Sequence, residues 1–467
     1  METLITTEYS HQYIYSDVLC YFLYVPEKMK IAMKKDGDNI EDNYYKRKLN
    51  FLQRNHFFDK EVITFQTDYT EDLVKQNMAC LRQLLIEVTD KCNLKCKYCG
   101  YGEFYSNYDR RETCNQTFDN VKVLIDYLAN LWRSDYNVSH NNTVTVGFYG
   151  GEPLLNMKLI QETIAYIESL HIDNLRFSYN MTTNAMLLGR YMDYLVEKDF
   201  TLLISLDGDE YQSGYRVDKH GKSSFTHVVG NIQKLKDTYP EFFEKNVHFN
   251  AVLHDRNSVE GCYKSIHGLF GKRPRVSELN TNGIIPERVE EFVRMFNDKT
   301  ESFKTALTHD PDIKDDFEME DDASLAYHFM IMNYGGNRYS DYVDLFDSDR
   351  NGKYVPTGTC RPFERKLFLT VNGKILPCER IGQECGKLNL DCSAVAKYYS
   401  SLYKKIIKSC VHCNLKKSCG QCLFLLKEKN GQLICPGIET DAKLREKFSA
   451  FLTYAESNPG DYERLLS

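Results

Sequence analysis

Apolar residues in the middle of the chain fall into short runs separated by longer stretches of helical periodicity. Strand-like runs stand at 84–88 (Leu84-Leu85-Ile86-Glu87-Val88), 144–148, 175–179, 202–206 and 247–252. Helix-length stretches at 118–133, 157–170, 187–197, 223–237 and 257–269 lie between them. A further strand near 274–280 and a helix at 286–297 complete six β/α units within residues 80–300. Alternation of this kind predicts an α/β fold with a parallel sheet, open or curled into a partial (β/α)6 TIM-like barrel. Its chemistry is expected on loops at the C-terminal ends of the strands.

The flanks read differently. Residues 1–75 form a small α+β unit: Tyr13 to Val25 is aromatic and β-branched, as in strands. Between 39 and 58, Tyr44, Leu49, Phe51 and Leu52 recur at helical spacing among charges. Residues 301–355 form an acidic bridge with one helix expected at 323–333. A cysteine-rich module follows over 356–445, and a C-terminal helix over 446–467.

Composition narrows the class. With 27% charged and 42% apolar residues, the 467-residue chain can bury a sizeable core, which excludes a disordered protein. Lys plus Arg number 59 against 66 Asp plus Glu, so a general phosphate-binding surface is disfavoured and no nucleic-acid partner is expected. No apolar run approaches the ~18 residues of a membrane span. The start, Met1-Glu2-Thr3-Leu4-Ile5, lacks the basic and apolar regions of a signal peptide. The expectation is a cytoplasmic protein with no membrane partner.

Sixteen cysteines change the picture, because disulfides contribute little in a reducing compartment and such residues are more often metal ligands. Cys92-x3-Cys96-x2-Cys99 follows the first core strand directly. Three thiolates on one short loop can hold three irons of a four-iron cluster and leave the fourth open to a small molecule. Tyr98, between the last two, is placed to pack against a bound adenine. A structural zinc knuckle is the bland alternative, but zinc wants four ligands and no fourth Cys or His follows within reach.

Further along, this region resembles the radical S-adenosylmethionine (SAM) superfamily, over residues 82–298. After the second strand, Tyr149-Gly150-Gly151-Glu152-Pro153 is similar to that family's GGEP motif. The resemblance implies that the backbone of Gly150 and Gly151 and the carboxylate of Glu152 hold the SAM amino group. Met181-Thr182-Thr183-Asn184-Ala185 is similar to the TNG/TNA segment and would bring Thr183 to the cofactor. Ser205-Leu206-Asp207-Gly208, then Arg216, His220, Gly221 and Ser224-Phe225, looks like the SLDG…R…G-x-SF run. By that likeness Ser205 contacts the ribose, and Arg216 holds the SAM carboxylate or orients substrate. Leu253, after the fifth strand, would pack on the adenine.

The second cysteine field runs Cys360-x12-Gly373-x4-Cys378, then Cys410-x2-Cys413-x5-Cys419-x2-Cys422, then Cys435. A zinc ribbon also uses two Cx2C pairs, but spaces them by roughly 15–20 residues. The pattern resembles the SPASM module, which holds two auxiliary four-iron clusters, with one departure: its last spacing is three residues where this chain has two. The resemblance implies that Cys410, Cys413, Cys419 and Cys435 ligate one cluster, and Cys360, Cys378 and Cys422 the other. Cys385 is the candidate fourth ligand, with Cys392 behind it; an open site for a substrate thiolate is the alternative. Cys20, Cys80, Cys114 and Cys262 read as ordinary cysteines.

What the likeness implies is an enzyme with three [4Fe–4S] clusters that cleaves SAM to a 5′-deoxyadenosyl radical. A flavodoxin- or ferredoxin-type protein would supply low-potential electrons. Two substrate branches compete. Maturases of ribosomally made precursor peptides install thioether, carbon–carbon or ether cross-links, and often carry a small leader-recognition domain like the winged-helix-like arrangement read at 1–75. Anaerobic sulfatase maturases oxidise Cys or Ser to formylglycine, and carry a base Asp where this chain has Glu379. Glu379 is the candidate base, with Asp207 and Tyr149 as others near the site. A non-catalytic zinc-binding interaction protein is the reading from another class.

Overall fold

The computed structural model describes residues 4–16, 21–33, 43–55, 57–58, 65–106, 113–139, 143–309, 356, 361–413, 419, 421–437 and 440–460. The helix expected at 323–333, Cys20 and Cys360 lie outside the described residues. The chain divides into two compact units, one of residues 1–69, 317–359 and 398–467, the other of 70–316 and 360–397.

In the first unit, strands β1 (Leu4–Thr6), β2 (Gln12–Ser16) and β3 (Tyr21–Tyr24) form an antiparallel sheet in that order. Successive side chains on a strand point to opposite faces, and both faces here are covered. Ile14 and Val25 pack with Met29 and Leu52 of the helices Glu27–Met33 and Asn43–Arg54. Ile5, Tyr13, Tyr15 and Phe22 pack instead on Leu444, Phe448, Phe451 and Leu452 of the helix Asp441–Ser457. That helix starts at Thr440, whose hydroxyl accepts the Lys443 N–H. A hairpin, Lys427–Lys429 with Gln432–Ile434, turns through Asn430 and Gly431 at φ 51° and 73° and lies between Cys422 and Cys435.

The second unit is built on six parallel strands, neighbours in sequence order. They are β4 (Gln83–Thr89), β5 (Thr143–Gly150), β6 (Arg176–Thr183), β7 (Thr201–Ser205), β8 (Val247–Val252) and β9 (Pro274–Ser277). Helices Phe118–Trp132, Met157–Ser169, Leu188–Glu197, Phe225–Thr238 and Val259–Phe270 connect them, as the periodicity predicts. On β4, Leu84, Ile86 and Val88 are wholly enclosed, while Leu85 and Glu87 share the opposite face.

Three further strands come from the cysteine-rich segment: β10 (Lys366–Leu369), β11 (Lys374–Leu376) and β12 (Gly386–Lys387). They extend the sheet in the order β12-β11-β10-β4, with β10 parallel to β4. The sequence pattern shows six β/α units only. The added strands close the edge of β4, and Phe368 and Leu376 pack on Leu85 and Tyr149.

Candidate active site

The site lies at the C-terminal ends of β4–β8. The loop after β4 begins Asp90-Lys91 and carries Cys92, Cys96 and Cys99, all partly exposed. It is tied to the end of β5: Gly151 N donates to Thr89 O and Glu152 N to Lys91 O, both at 2.8 Å. The two glycines are needed for this approach. A Cβ on Gly150, at φ +126°, would stand 2.1 Å from Thr89 O, and one on Gly151 would stand 2.0 Å from Lys91 O.

Glu152 is buried, and its carboxylate accepts from Leu154 N (3.2 Å), Thr183 Oγ1 (2.7 Å) and Asn184 N (2.8 Å). Asn184 in turn donates to Asn93 Oδ1 at 2.8 Å and to Cys92 Sγ at 3.7 Å. Glu152 thus fastens the end of β6 to the GGEP turn, and Asn184 fastens it to the cysteine loop. Burial pushes the Glu152 carboxyl up to about 7 against the pull of its three donors. A carboxyl whose native pKa lies above its unfolded value holds its proton more tightly when folded. Stability of the metal-free chain should therefore fall as pH rises from about 4.5 to about 7, by about 3 kcal/mol at most. In urea denaturation across that window, Glu152→Gln should flatten the slope. An unchanged slope would assign the titration to another group.

Ser205 ends β7, partly exposed; Thr183 ends β6, buried; Leu253 follows β8, fully enclosed, with its N–H on Ser277 O at 2.8 Å. Tyr98 and Arg216 meet at a residue from the same SLDG run, Asp207. Arg216 Nε and Nη2 each donate to the Asp207 carboxylate at 2.9 Å, and the Tyr98 hydroxyl donates to Oδ2. Burial would raise the Asp207 pKa, but the guanidinium overrides it and holds the carboxyl below its ordinary range. The Tyr98 ring stacks on His254 at 5.4 Å.

Two acids take different places. Glu379 pairs with Lys366 Nζ at 2.8 Å, and Lys366 is in register with Gln83 at the start of β4. About 20 Å of strand rise separates that level from Thr89. Glu87, two residues before Thr89, is buried; it accepts the Val371 N–H at 2.9 Å and the Tyr101 hydroxyl. Sequence reasoning passed over Glu87, although one charge inside Leu84-Leu85-Ile86-Glu87-Val88 is a usable signal. Asn184 was missed as the link to Cys92, having no charge to mark it.

Of the C-terminal cysteines, Cys378 and Cys385 lie in the second unit, where Cys385 N donates to Ile375 O at 2.9 Å. Cys410, Cys413, Cys419, Cys422 and Cys435 belong to the first unit, and Cys413 N donates to Cys410 O at 3.1 Å. Cys392 is buried, with the Tyr127 hydroxyl 3.3 Å from its sulfur.

The donor set on the β4 loop fits an iron–sulfur cluster. Soft thiolates select such clusters, and N–H groups of Leu94 (3.4 Å) and Asn184 already point at Cys92 Sγ. Among the described residues no three His, Cys, Asp or Glu side chains converge on one metal ion. A cluster does not ask for that, since each thiolate takes its own iron.

Comparison with known proteins decides the family of this region: residues 86–260 match the model of the radical SAM superfamily. Residues 86–260 are a radical SAM domain. Such a domain implies an enzyme of radical chemistry that binds a [4Fe–4S] cluster and SAM. Among curated relatives, the radical SAM cyclopropyl synthase TigE of Paramaledivibacter caminithermalis is 23% identical over 366 residues, covering 76% of this chain and 70% of that protein. The cysteine-type anaerobic sulfatase-maturating enzyme of Clostridium novyi is 29% identical over 161 residues, 34% of this chain and 41% of that enzyme. The chain thus matches less than half of the second relative's length. The solved structure of native anSMEcpe with bound AdoMet superposes with a TM-score of 0.52 at 16% identity, covering 82% of this chain and 98% of that one. That likeness establishes the fold. The radical SAM domain is accompanied by a SPASM-like cysteine pattern, as in a maturase. No helix among the described residues is long and apolar enough to cross a membrane.

Proposed function

We propose that the protein is a radical SAM maturase that abstracts hydrogen from a ribosomally made precursor peptide and installs an oxidative cross-link. The observation that carries the reading is the N-terminal sheet. Among the described residues its strand β3 is an edge strand, and both faces are closed by the chain's own helices. A leader peptide would then bind by adding a strand beside Tyr21–Tyr24 rather than by lying on a covered face. Support for a peptide substrate comes from a relative named as a sulfatase-maturating enzyme, and from anSMEcpe with a bound peptide.

When bound, the cluster and SAM supply a carbon radical able to take hydrogen from an unactivated C–H bond. The chain's own part is to hold and exclude. Cys92, Cys96 and Cys99 would hold the cluster. The Gly150-Gly151 turn presses the loop against β5, and Thr183, Ser205 and Leu253 stand at the strand ends where the cofactor would lie. Glu379, held by Lys366, is the proposed proton acceptor for a peptide segment that reaches the lower end of the sheet, about 20 Å from the end that carries the cysteine loop. Cys360, Cys378, Cys385, Cys410, Cys413, Cys419, Cys422 and Cys435 are the proposed ligands of two auxiliary clusters that would carry the second electron away. A flavodoxin- or ferredoxin-type donor would deliver the first electron.

A second reading, formylglycine formation on a Cys or Ser, is favoured by the similarity to the sulfatase-maturating enzyme. The test combines the reconstituted enzyme, dithionite and SAM with short peptides encoded beside its gene and with a Cys-containing sulfatase peptide. 5′-Deoxyadenosine with a precursor two hydrogens lighter per cross-link supports the first reading. An aldehyde on the sulfatase peptide alone replaces it with the second.

A further inference from the structure

We infer that Arg216 and Asp207 form a positioning pair that fixes the middle of the cysteine loop, with Tyr98 as its point of attachment. The inference rests on the radical SAM reading of that loop and gives Arg216 a role other than holding the SAM carboxylate.

The Asp207 carboxylate is completely enclosed and fully subscribed. Oδ1 accepts Arg216 Nη2 at 2.9 Å and Val252 N at 3.0 Å; Oδ2 accepts Arg216 Nε at 2.9 Å and the Tyr98 hydroxyl. Those four donors fill its roughly four lone-pair sites. His254 Nε2 stands 3.7 Å from Oδ2, and its ring also stacks on Tyr98. The Arg216 guanidinium lies over that same ring, 5.5 Å from the Tyr98 centroid. The Nε/Nη2 edge of the guanidinium fork is thus already taken by Asp207.

The same segment grips the loop a second time through its backbone. Lys95 N donates to Val217 O at 2.7 Å, and Leu94 bridges to Asp218. Arg216 itself is anchored by its N–H on Ser213 O (2.8 Å) and by the Ser224 hydroxyl on its carbonyl (2.6 Å). Cys96 therefore sits between two ties, Lys95 on one side and Tyr98 on the other, both leading to the Arg216 segment. It also lies within electrostatic reach of both members of the pair. Removing the ion pair would free the loop between Cys92 and Cys99 and change the charge felt by anything bound there.

The test uses the reconstituted full chain and four variants: Tyr98→Phe, Arg216→Lys, Arg216→Met and Asp207→Asn. It reads iron per chain, the EPR spectrum and midpoint potential of the reduced cluster, and SAM dissociation. Tyr98→Phe loses a single hydroxyl and keeps the fold testable; its EPR signal should broaden with iron retained. Arg216→Met should lower the midpoint potential, because a cation is lost near the cluster. Arg216→Lys should restore the potential but not the line shape, since an ammonium cannot span both oxygens. SAM affinity should stay within about two-fold in the Tyr98 and Lys variants. Normal spectra and potential in Tyr98→Phe and Arg216→Lys, with SAM binding weakened about ten-fold in the latter, would overturn the positioning role and make Arg216 a SAM contact. A wild-type chain that binds no iron would remove the radical SAM reading itself, and this inference with it.

Discussion

Replacing Cys92, Cys96 and Cys99 together by alanine should lower bound iron from about twelve to about eight atoms per chain and abolish SAM cleavage. The effect is expected to be total for catalysis because the three thiols share one loop and each would hold its own iron. The remaining iron would belong to the C-terminal cysteines, five of which lie in the other compact unit. Cys80→Ala is the matched control: its thiol points at the Tyr136 carbonyl, 3.8 Å away, and its loss should leave iron unchanged. Iron analysis beside 5′-deoxyadenosine production checks both. A fall from about four irons to none would show that the C-terminal field holds no cluster. Zinc in place of iron throughout would return the protein to the non-catalytic reading.

The strands that build this site were legible because parallel strands buried on both faces read as near-continuous apolar runs. Leu84 to Val88 and Leu202 to Leu206 are of this kind, and the motifs at their ends needed no structure to be found. Capping made the helices legible too: Thr117 accepts the Asn120 N–H where Phe118–Trp132 begins, and Ser258 the Gly261 N–H where Val259–Phe270 begins.

Contacts between distant segments left no such trace. Nothing in local periodicity pairs Lys366–Leu369 with Gln83–Ile86, because β10 finds its partner across the whole radical SAM domain. The covering of Tyr15 and Phe22 by Phe448 and Phe451 is as remote, joining the two ends of the chain. Charge was harder still. Arg216 looked available for a cofactor because its partner, Asp207, read from the sequence as one of the candidate bases. Only burial shows why the two must meet: an isolated enclosed guanidinium or carboxylate costs far more than a paired one. Glu87 follows the same logic, its charge answered by Tyr101 and the Val371 N–H from a segment remote in sequence.

Gly151→Ala should be among the most damaging single substitutions outside the cysteines, and the reason is geometric. Its Cβ would lie 2.0 Å from Lys91 O and 2.7 Å from Asp90 O, both backbone atoms that cannot swing aside as a side chain would. Relief requires moving the start of the cysteine loop, which breaks the bonds from Gly151 N to Thr89 O and from Glu152 N to Lys91 O. Gly150→Ala adds a left-handed φ of +126° to an equally close approach to Thr89 O. Each substitution should cost about 3 kcal/mol or more, with a parallel loss of iron from the first cluster. Gly230→Ala separates this from a general intolerance of alanine: its Cβ meets nothing within 4 Å in the helix Phe225–Thr238. It should be neutral or stabilising by up to about 1 kcal/mol. Melting and iron content on the three variants decide the matter. If Gly151→Ala keeps its iron and loses only SAM affinity, the glycine serves the cofactor directly and the loop does not depend on it. If iron is lost first, the GGEP turn's prior task is to seat the cysteines, and cofactor binding follows from where it puts them.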